Sequence, residues 1–404
     1  MPKVVKQQRQ QLALEGGTPV RAKLLPYSRQ SIDEQDVRAV TDVLRSDWLT
    51  TGPAIPAFEQ AFAAFAGAQH AVAVNSGTAA LHAAMHAINI TEGDEVIVPA
   101  MTFAATANAV LYCGGTPVFA DSDRETLLID PKKVESLINA KTKAIIAVDY
   151  GGQPCDYDAL RAIADRHHLV LVADACHSIG GSYKGRPVGS LADMSCFSFH
   201  PVKPMTTGEG GMITTNNVQF AERMRRFRNH GITSDHRQRH EEGGWFYAME
   251  ELGYNYRLTD IHAVLGMAQM KRVSEWTKRR QAIAKRYDAA FAPLPQVRPL
   301  KVHPDVSHAY HLYVLRLRLE ACTADREKFF KALRMENIGV NVHYIPVHTH
   351  PFYTKRFGVR AGLCPVAEAA YEQIISIPMF SGMVDQDAAD VIEAVEKVCQ
   401  AYAR

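Results

Sequence analysis

Between Ala71 and Thr215 the chain alternates short apolar runs with stretches of helical periodicity, and few architectures accommodate that alternation. The runs are Ala71–Val74, Glu95–Pro99, Pro117–Ala120, Ala144–Asp149, Leu169–Ala173, Ser195–Phe199 and Met212–Thr214. Several are uninterrupted, as strands buried on both faces require. Helical patterns lie between many of them, such as Leu81, Met85 and Ile88 following Gly77. Strands alternating with helices imply an α/β fold, with a mostly parallel central sheet sandwiched by helices.

The flanks complete the outline. Ser31 to Glu34 reads S-x-x-E, a capping box that opens a helix reaching Leu44. A second helix follows Pro56, with Phe58, Phe62 and Phe65 on one stripe. Beyond Thr215 come a charged helix, Gln219–Arg228, and a helix over Leu258–Met270 with Leu258, Ile261 and Leu265 on one face. A long helix over Ser274–Ala292 ends at Pro293 and Pro295. The remainder reads as an alternating strand at Tyr310–Leu319, a helix at Asp325–Met335, a strand at Gly339–Tyr344 and a closing helix at Asp385–Tyr402. The expected division is an arm over 1–26 with turn signals at Gly16-Gly17 and Pro19, a large domain over 27–290, and a smaller α+β C-terminal domain over 291–404.

Composition removes several classes of function. Lys plus Arg is 45 against 43 for Asp plus Glu, a net charge of +2, so there is no electrostatic case for nucleic acid or a membrane surface. No apolar run reaches the roughly 18 residues of a membrane span. The first residues carry Lys3, Lys6 and Arg9 but no apolar core of a signal peptide, so a cytoplasmic enzyme is expected. Seven scattered cysteines without a Cys-x-x-Cys spacing suggest neither a disulfide framework nor a zinc site.

Three segments carry chemistry. Asn75-Ser76-Gly77-Thr78-Ala79-Ala80-Leu81 joins a strand to a helix, and its small residues let an anion approach free N–H groups. Val172-Ala173-Asp174-Ala175-Cys176-His177 puts a carboxylate directly after a buried strand, where open parallel sheets bind ligands. Ser198-Phe199-His200-Pro201-Val202-Lys203, followed by Thr206-Thr207-Gly208-Glu209-Gly210-Gly211, sets one lysine in a loop of turn and small residues. Taken singly these also read as a tight turn, a helix-capping aspartate and a surface lysine. Taken together they supply what pyridoxal phosphate needs: a phosphate cup, an acid for the ring nitrogen, and a lysine whose amine desolvation makes nucleophilic.

The sequence resembles the fold type I pyridoxal phosphate enzymes and, among them, the DegT/DnrJ/EryC1/StrS sugar aminotransferase family. The resemblance extends from Leu25 to the C-terminus. It rests on Pro26-Tyr27-Ser28, Gly77-Thr78-Ala79-Ala80-Leu81, Thr102-Phe103-Ala104-Ala105-Thr106-Ala107-Asn108, Asp174 with His177, the lysine run, and Gly253-Tyr254-Asn255-Tyr256-Arg257. The lysine run looks most like the branch of pseudaminic acid synthesis, which acts on a UDP-linked 4-keto-6-deoxy-N-acetylhexosamine.

The resemblance implies that Lys203 carries pyridoxal 5′-phosphate as a Schiff base and that Asp174 pairs with its ring nitrogen. It further implies that Phe103 stacks on the ring, that Gly77, Thr78 and Ser198 bind the phosphate, and that His177 stands near the phenolic oxygen. Asn255 would reach the phosphate of a neighbouring subunit, making the active unit a homodimer with shared sites. L-glutamate would be the donor and a nucleotide-linked keto sugar the acceptor. Other keto-sugar or keto-cyclitol aminotransferases, perosamine-type enzymes included, and a non-catalytic cofactor-binding regulator are the competing expectations. A dehydratase of this fold would carry His at the position of Lys203.

Weaker signals have ordinary explanations. His343, His348 and His350 match no common metal-ligand spacing. Arg223, Arg225, Arg226 and Arg228 read as a solvated helix face. Ser234–Gly244 reads either as a mobile loop over the sugar site or as a plain surface loop. Asn89-Ile90-Thr91 is expected to stay unmodified, and Cys176 to be a small packing residue.

Overall fold

In the computed structural model, which describes residues 11–234, 237, 239 and 243–404, all seven apolar runs enter one sheet. Its strands are β1 (His70–Val74), β2 (Glu95–Pro99), β3 (Thr116–Ala120), β4 (Thr142–Val148), β5 (Val170–Asp174), β8 (Met194–Ser198) and β9 (Gly211–Thr215); β6 (Ser182–Tyr183) and β7 (Arg186–Pro187) form a short ribbon outside it. The order across the sheet is β1-β9-β8-β5-β4-β2-β3. The pairs from β8 to β3 are parallel, while β9 runs antiparallel to both β8 and β1. The helices α1 (Glu34–Leu44), α2 (Ala54–Ala66), α3 (Gly77–Ala87), α4 (Ala104–Tyr112), α5 (Pro131–Leu137), α6 (Tyr157–Arg166) and α7 (Val218–Phe227) flank it in the chain. This is the α/β architecture expected from the alternation.

The core beneath the sheet is aromatic. Phe58 and Phe62 of α2 are fully buried, and the Phe62 ring lies 5.0 Å from Phe197 and 5.5 Å from Phe199 between centroids, in edge-on geometry. Against the same cluster lies Gly266 of the helix Asp260–Met270, where an added Cβ would stand 2.5 Å from the Phe58 ring. That close approach decides which face of the helix is buried. Ala263, Gly266 and Gln269 turn inward, whereas Ile261 and Leu265, expected on the packed stripe, are only half-buried.

Three further expectations are corrected. Helix α1 is capped by Asp33 rather than Ser31: Asp33 Oδ1 accepts from Gln35 and Asp36, and Asp36 Oδ2 accepts from the Asp33 N–H in return. The strand read as alternating is β12 (Tyr313–Leu317), every residue of which is buried; it is the middle strand of a second sheet between β10 (Val297–Pro299) and β13 (Ile374–Ile377), and β11 (Val306–Ser307) joins the β6–β7 ribbon instead. Gly339–Tyr344 is extended but contributes only a single bridge, Asn341 to Ser376 on β13. The isolated apolar run of β13, with no periodicity of its own, is the strand that pairs.

A second core surrounds this sheet, and it takes Leu12 and Leu25 from the N-terminal segment. A buried ion pair anchors that segment. Lys397 Nζ lies 2.9 Å from Glu336 Oε2 and donates to Thr18 O, while Glu336 accepts the Ala13 and Val20 N–H groups at 2.9 and 3.0 Å. Among the described residues no helix is long and apolar enough to cross a membrane. Removing Glu336 leaves a buried ammonium and two N–H groups without their acceptor. Glu336→Ala is expected to cost about 3–5 kcal/mol in urea unfolding and to speed tryptic cleavage after Arg21 and Lys23. Unchanged stability and cleavage would refute this anchor.

Candidate active site

Parallel strands end on a common edge, and here three ends meet. Val74 of β1 and Ser198 of β8 both stand opposite Gly211 at the start of β9, and Asp174 ends β5 beside Cys196. The chain therefore returns from β8 to β9 through the loop 199–210, which carries Lys203 to this edge. The loop is pinned by its own backbone: Phe199 donates to Gly210 O at 2.9 Å, Thr207 to Phe199 O at 3.0 Å and Lys203 to His200 O at 2.8 Å.

Helix α3 starts at the same edge. Ser76 caps it, accepting from Ala79 N–H at 3.0 Å, which leaves the Gly77 and Thr78 N–H groups at the helix start. Gly77 is required by close approach, since a Cβ there would meet Ser198 Cβ at 2.7 Å and Cys176 Sγ at 3.3 Å. The helix start and the Ser198 hydroxyl thus stand side by side, an arrangement able to receive an anion.

Asp174 and Lys203 sit on the neighbouring wall. Asp174 is buried and accepts from Thr106 Oγ1 at 2.8 Å and from Cys176 N–H at 3.3 Å, and Thr106 is bonded in turn to Thr102 at 2.8 Å. Burial lowers the Lys203 ammonium below the ordinary lysine value, opposed by Cys176 and Asp174. Burial, then Lys203 and His343, holds His177 well below the ordinary histidine value, so its ring is neutral. Burial, reinforced by Asp174, pushes the Cys176 thiol well up, which fits a packing residue rather than a nucleophile.

These groups line one cavity of about 720 Å³. Gly77, Thr78, Phe103, Asp174, His177, Ser198 and Lys203 all face it, and the exposed Phe103 presents an uncovered ring at its mouth. Asn255 does not line it. It lies exposed at the bridge to Asn229, with its carbonyl accepting from Asn75 Nδ2 at 3.4 Å. Sequence reading assigned no role to Thr106, nor to Tyr344, whose hydroxyl lies 3.0 Å from His177 Nε2. Thr106 stands within a quoted motif, but its bond to Asp174 spans 68 positions and leaves no local trace.

Other sequence signals resolve differently. His343 lines the cavity and bonds Ser376, whereas the buried His348 bonds Glu368. Among the described residues no group of three or more His, Cys, Asp or Glu is placed to hold a metal. The arginines of α7 and its end are not a freely solvated face. Arg228 pairs with Glu59, Arg226 with Glu250, and Arg223 with Asn89 and His86 O. Part of Ser234–Gly244 lies outside the described residues.

The model of the DegT/DnrJ/EryC1/StrS aminotransferase family matches residues 30–396. The chain belongs to this family. It is 44% identical over 380 residues to the spore coat polysaccharide biosynthesis protein SpsC of Bacillus subtilis, covering 94% of this chain and 98% of that protein. It is similar to Spr1654 of Streptococcus pneumoniae in its PLP form, with 33% identity, a TM-score of 0.88, and 94% and 99% of the two chains covered. It is also similar to Helicobacter pylori PseC, an aminotransferase of pseudoaminic acid biosynthesis, with 32% identity, a TM-score of 0.87, and 94% and 100% covered. As a member of this family the chain is a fold type I aminotransferase, and its cofactor is pyridoxal phosphate.

The cavity fits that cofactor on its own chemistry: a desolvated amine, a buried carboxylate held by two donors, and a helix start that no side chain fills. The depressed Lys203 has a stability consequence. Between its folded value and the ordinary 10.5, the unfolded chain binds more protons, so Lys203 makes stability rise with pH across that window and lowers it at neutral pH. Lys203→Met is expected to raise the melting temperature of the cofactor-free protein at neutral pH and to flatten the alkaline rise. A melting temperature equal to wild type at every pH contradicts a desolvated Lys203.

Proposed function

We propose that this enzyme transfers the amino group of L-glutamate to C4 of a nucleotide-linked 4-keto-6-deoxy sugar, with a UDP-linked 4-keto-6-deoxy-N-acetylhexosamine as the acceptor. The observation that carries the reading is the single cavity joining Lys203, Asp174 and the Gly77–Thr78 cup to a polar wall of Tyr27, His200, Glu209, Asn341 and His343. Such a wall suits a hydroxylated acceptor better than an apolar one. PseC, an aminotransferase of pseudoaminic acid biosynthesis, and SpsC, a spore coat polysaccharide biosynthesis protein, support a sugar substrate.

When bound, pyridoxal phosphate supplies an electron-withdrawing ring that weakens the bonds at the donor Cα. The side chains do the rest. The Gly77 and Thr78 N–H groups, with the Thr78 and Ser198 hydroxyls, hold the phosphate. Asp174, fixed by Thr106, would hold the ring nitrogen protonated, and Phe103 would cover the ring. Lys203 Nζ, its ammonium disfavoured by burial, would take the proton from the donor Cα as general base and deliver it as general acid to the cofactor's C4′. L-glutamate leaves as 2-oxoglutarate, and the acceptor ketone leaves as an amine.

Asn255, exposed on its own subunit, reaches the phosphate cup of a second copy, so the working unit is a homodimer.

Three outcomes test this reading. Lys203→Ala is expected to abolish turnover, and full activity in that variant would sink the assignment. Glutamate should shift the holoenzyme's absorbance band with release of 2-oxoglutarate, whereas a band that glutamate never changes favours a cofactor-binding regulator. Mixed dimers of Lys203→Ala and Asn255→Ala subunits should regain activity, about half of wild type, because one of the two shared sites is then complete. Mixed dimers as inactive as their parents would show that Asn255 does not act across subunits. A panel of UDP-, GDP- and dTDP-linked keto sugars, read by product mass and NMR, decides the nucleotide.

A further inference from the structure

Next to the reactive edge lies a buried carboxylate that the mechanism does not use. Asp149 follows β4 directly, is fully buried, and donates its N–H to Asp174 O at 3.1 Å. Its side chain gathers three donors: Ser178 Oγ at 2.6 Å, Tyr157 Oη at 2.9 Å and Cys155 N–H at 2.9 Å. Burial raises the carboxyl to about 6, and those three donors oppose the rise. A carboxylate in such a place is costly unless its bonds organise something. It ties the loop after β4 to the loop after β5, and both loops meet at His177.

The contacts on His177 settle its protonation pattern. Gly151 N–H donates to His177 Nδ1 at 3.3 Å, so Nδ1 is an acceptor and the single proton of the neutral ring is on Nε2. That proton points toward the cavity, where Nε2 lies 3.0 Å from Tyr344 Oη. Gly151 and Gly152 adopt φ of +68° and +102°, and a Cβ on Gly152 would stand 2.7 Å from His177 O. The loop after β4 is therefore pressed against the His177 backbone as well as its ring. His311 packs against the other side of the ring, 4.5 Å between centroids.

We propose that Asp149 and Ser178 form a clamp that holds His177 as the Nε2–H tautomer, a fixed neutral donor whose proton the cofactor's ring oxygen shares with Tyr344 Oη. Asp149 is in this sense a positioning residue: it touches neither cofactor nor substrate and acts through Ser178 and the Gly151 turn. The inference rests on the reading that His177 stands beside that oxygen. It adds the direction of the hydrogen bond and the device that sets it.

The test combines ring 15N NMR with cofactor titration of the full-length apoprotein. Two-bond 15N–1H correlation should show His177 protonated on Nε2 alone, its signals identified by their absence from His177→Gln. A ring protonated on Nδ1, or on both nitrogens at neutral pH, overturns the proposal. Ser178→Ala and Asp149→Asn are each expected to shift those signals and to weaken pyridoxal phosphate binding by about tenfold, the size of one lost charge-assisted bond. The double variant should bind within about twofold of the weaker single, because the two act as one unit.

If Asp149→Asn fails to fold, the milder Ser178→Ala still decides. Normal cofactor affinity and unshifted His177 signals in Ser178→Ala, while His177→Ala binds weakly, refute the clamp alone. Normal affinity in His177→Ala, which has no donor, removes the reading of His177 on which the clamp depends.

Discussion

The reversal of β9 is the constraint on which the site depends. A strand that pairs antiparallel with β8 on one side and β1 on the other must begin where both of those strands end. The connection that brings the chain there is confined to the sheet's C-terminal edge, and it carries Lys203. The parallel partners of β8 bring Asp174 to the same edge through the register Asp174↔Cys196. Helix α3 starts there because β1 ends there. No side chain has to search for its neighbours, since hydrogen-bond register already fixes the distances among cup, acid and amine.

Desolvation then turns this placement into chemistry. In water a lysine amine is protonated, an imidazole is part-charged, and a carboxylate needs no partner. At the buried edge Lys203 and His177 both move toward their neutral forms, while Asp174 keeps its place through Thr106 and the Cys176 N–H. The charge of +2 for the whole chain gave no hint of this. The anion recognition proposed for these N–H groups and hydroxyls would leave almost no trace in a charge count.

What was legible in the sequence divides along physical lines. The seven strands could be read because burial on both faces demands unbroken apolar runs, and the cup, Asp174 and Lys203 because their neighbours are small or turn-forming. The cap at Asp33 was misplaced by two residues because Ser31 and Asp33 offer similar side-chain oxygens, and only the backbone bonds distinguish them. The packed face of the helix Asp260–Met270 was misjudged because a glycine under an aromatic ring, not an apolar stripe, sets it. Thr106, Tyr344 and Asp149 went unseen as site residues for a common reason. Each acts on a residue distant in sequence or in another loop, and periodicity has no access to such bonds.

The anchor of the N-terminal segment also orders events in time. Lys397 holds Thr18 across 379 positions, and Glu336 holds Ala13 across 323. Thr18 and Ala13 therefore lack these partners until the stretch from Glu336 to Lys397 has been made. The large sheet, built from contacts nearer in sequence, has its strands in hand long before. Leu12 and Leu25 likewise belong to a second core whose other buried members run from Ile283 to Cys399. The small sheet and the segment that covers it thus draw their core partners from residues beyond 280, whereas every strand of the large sheet has been made by Thr215.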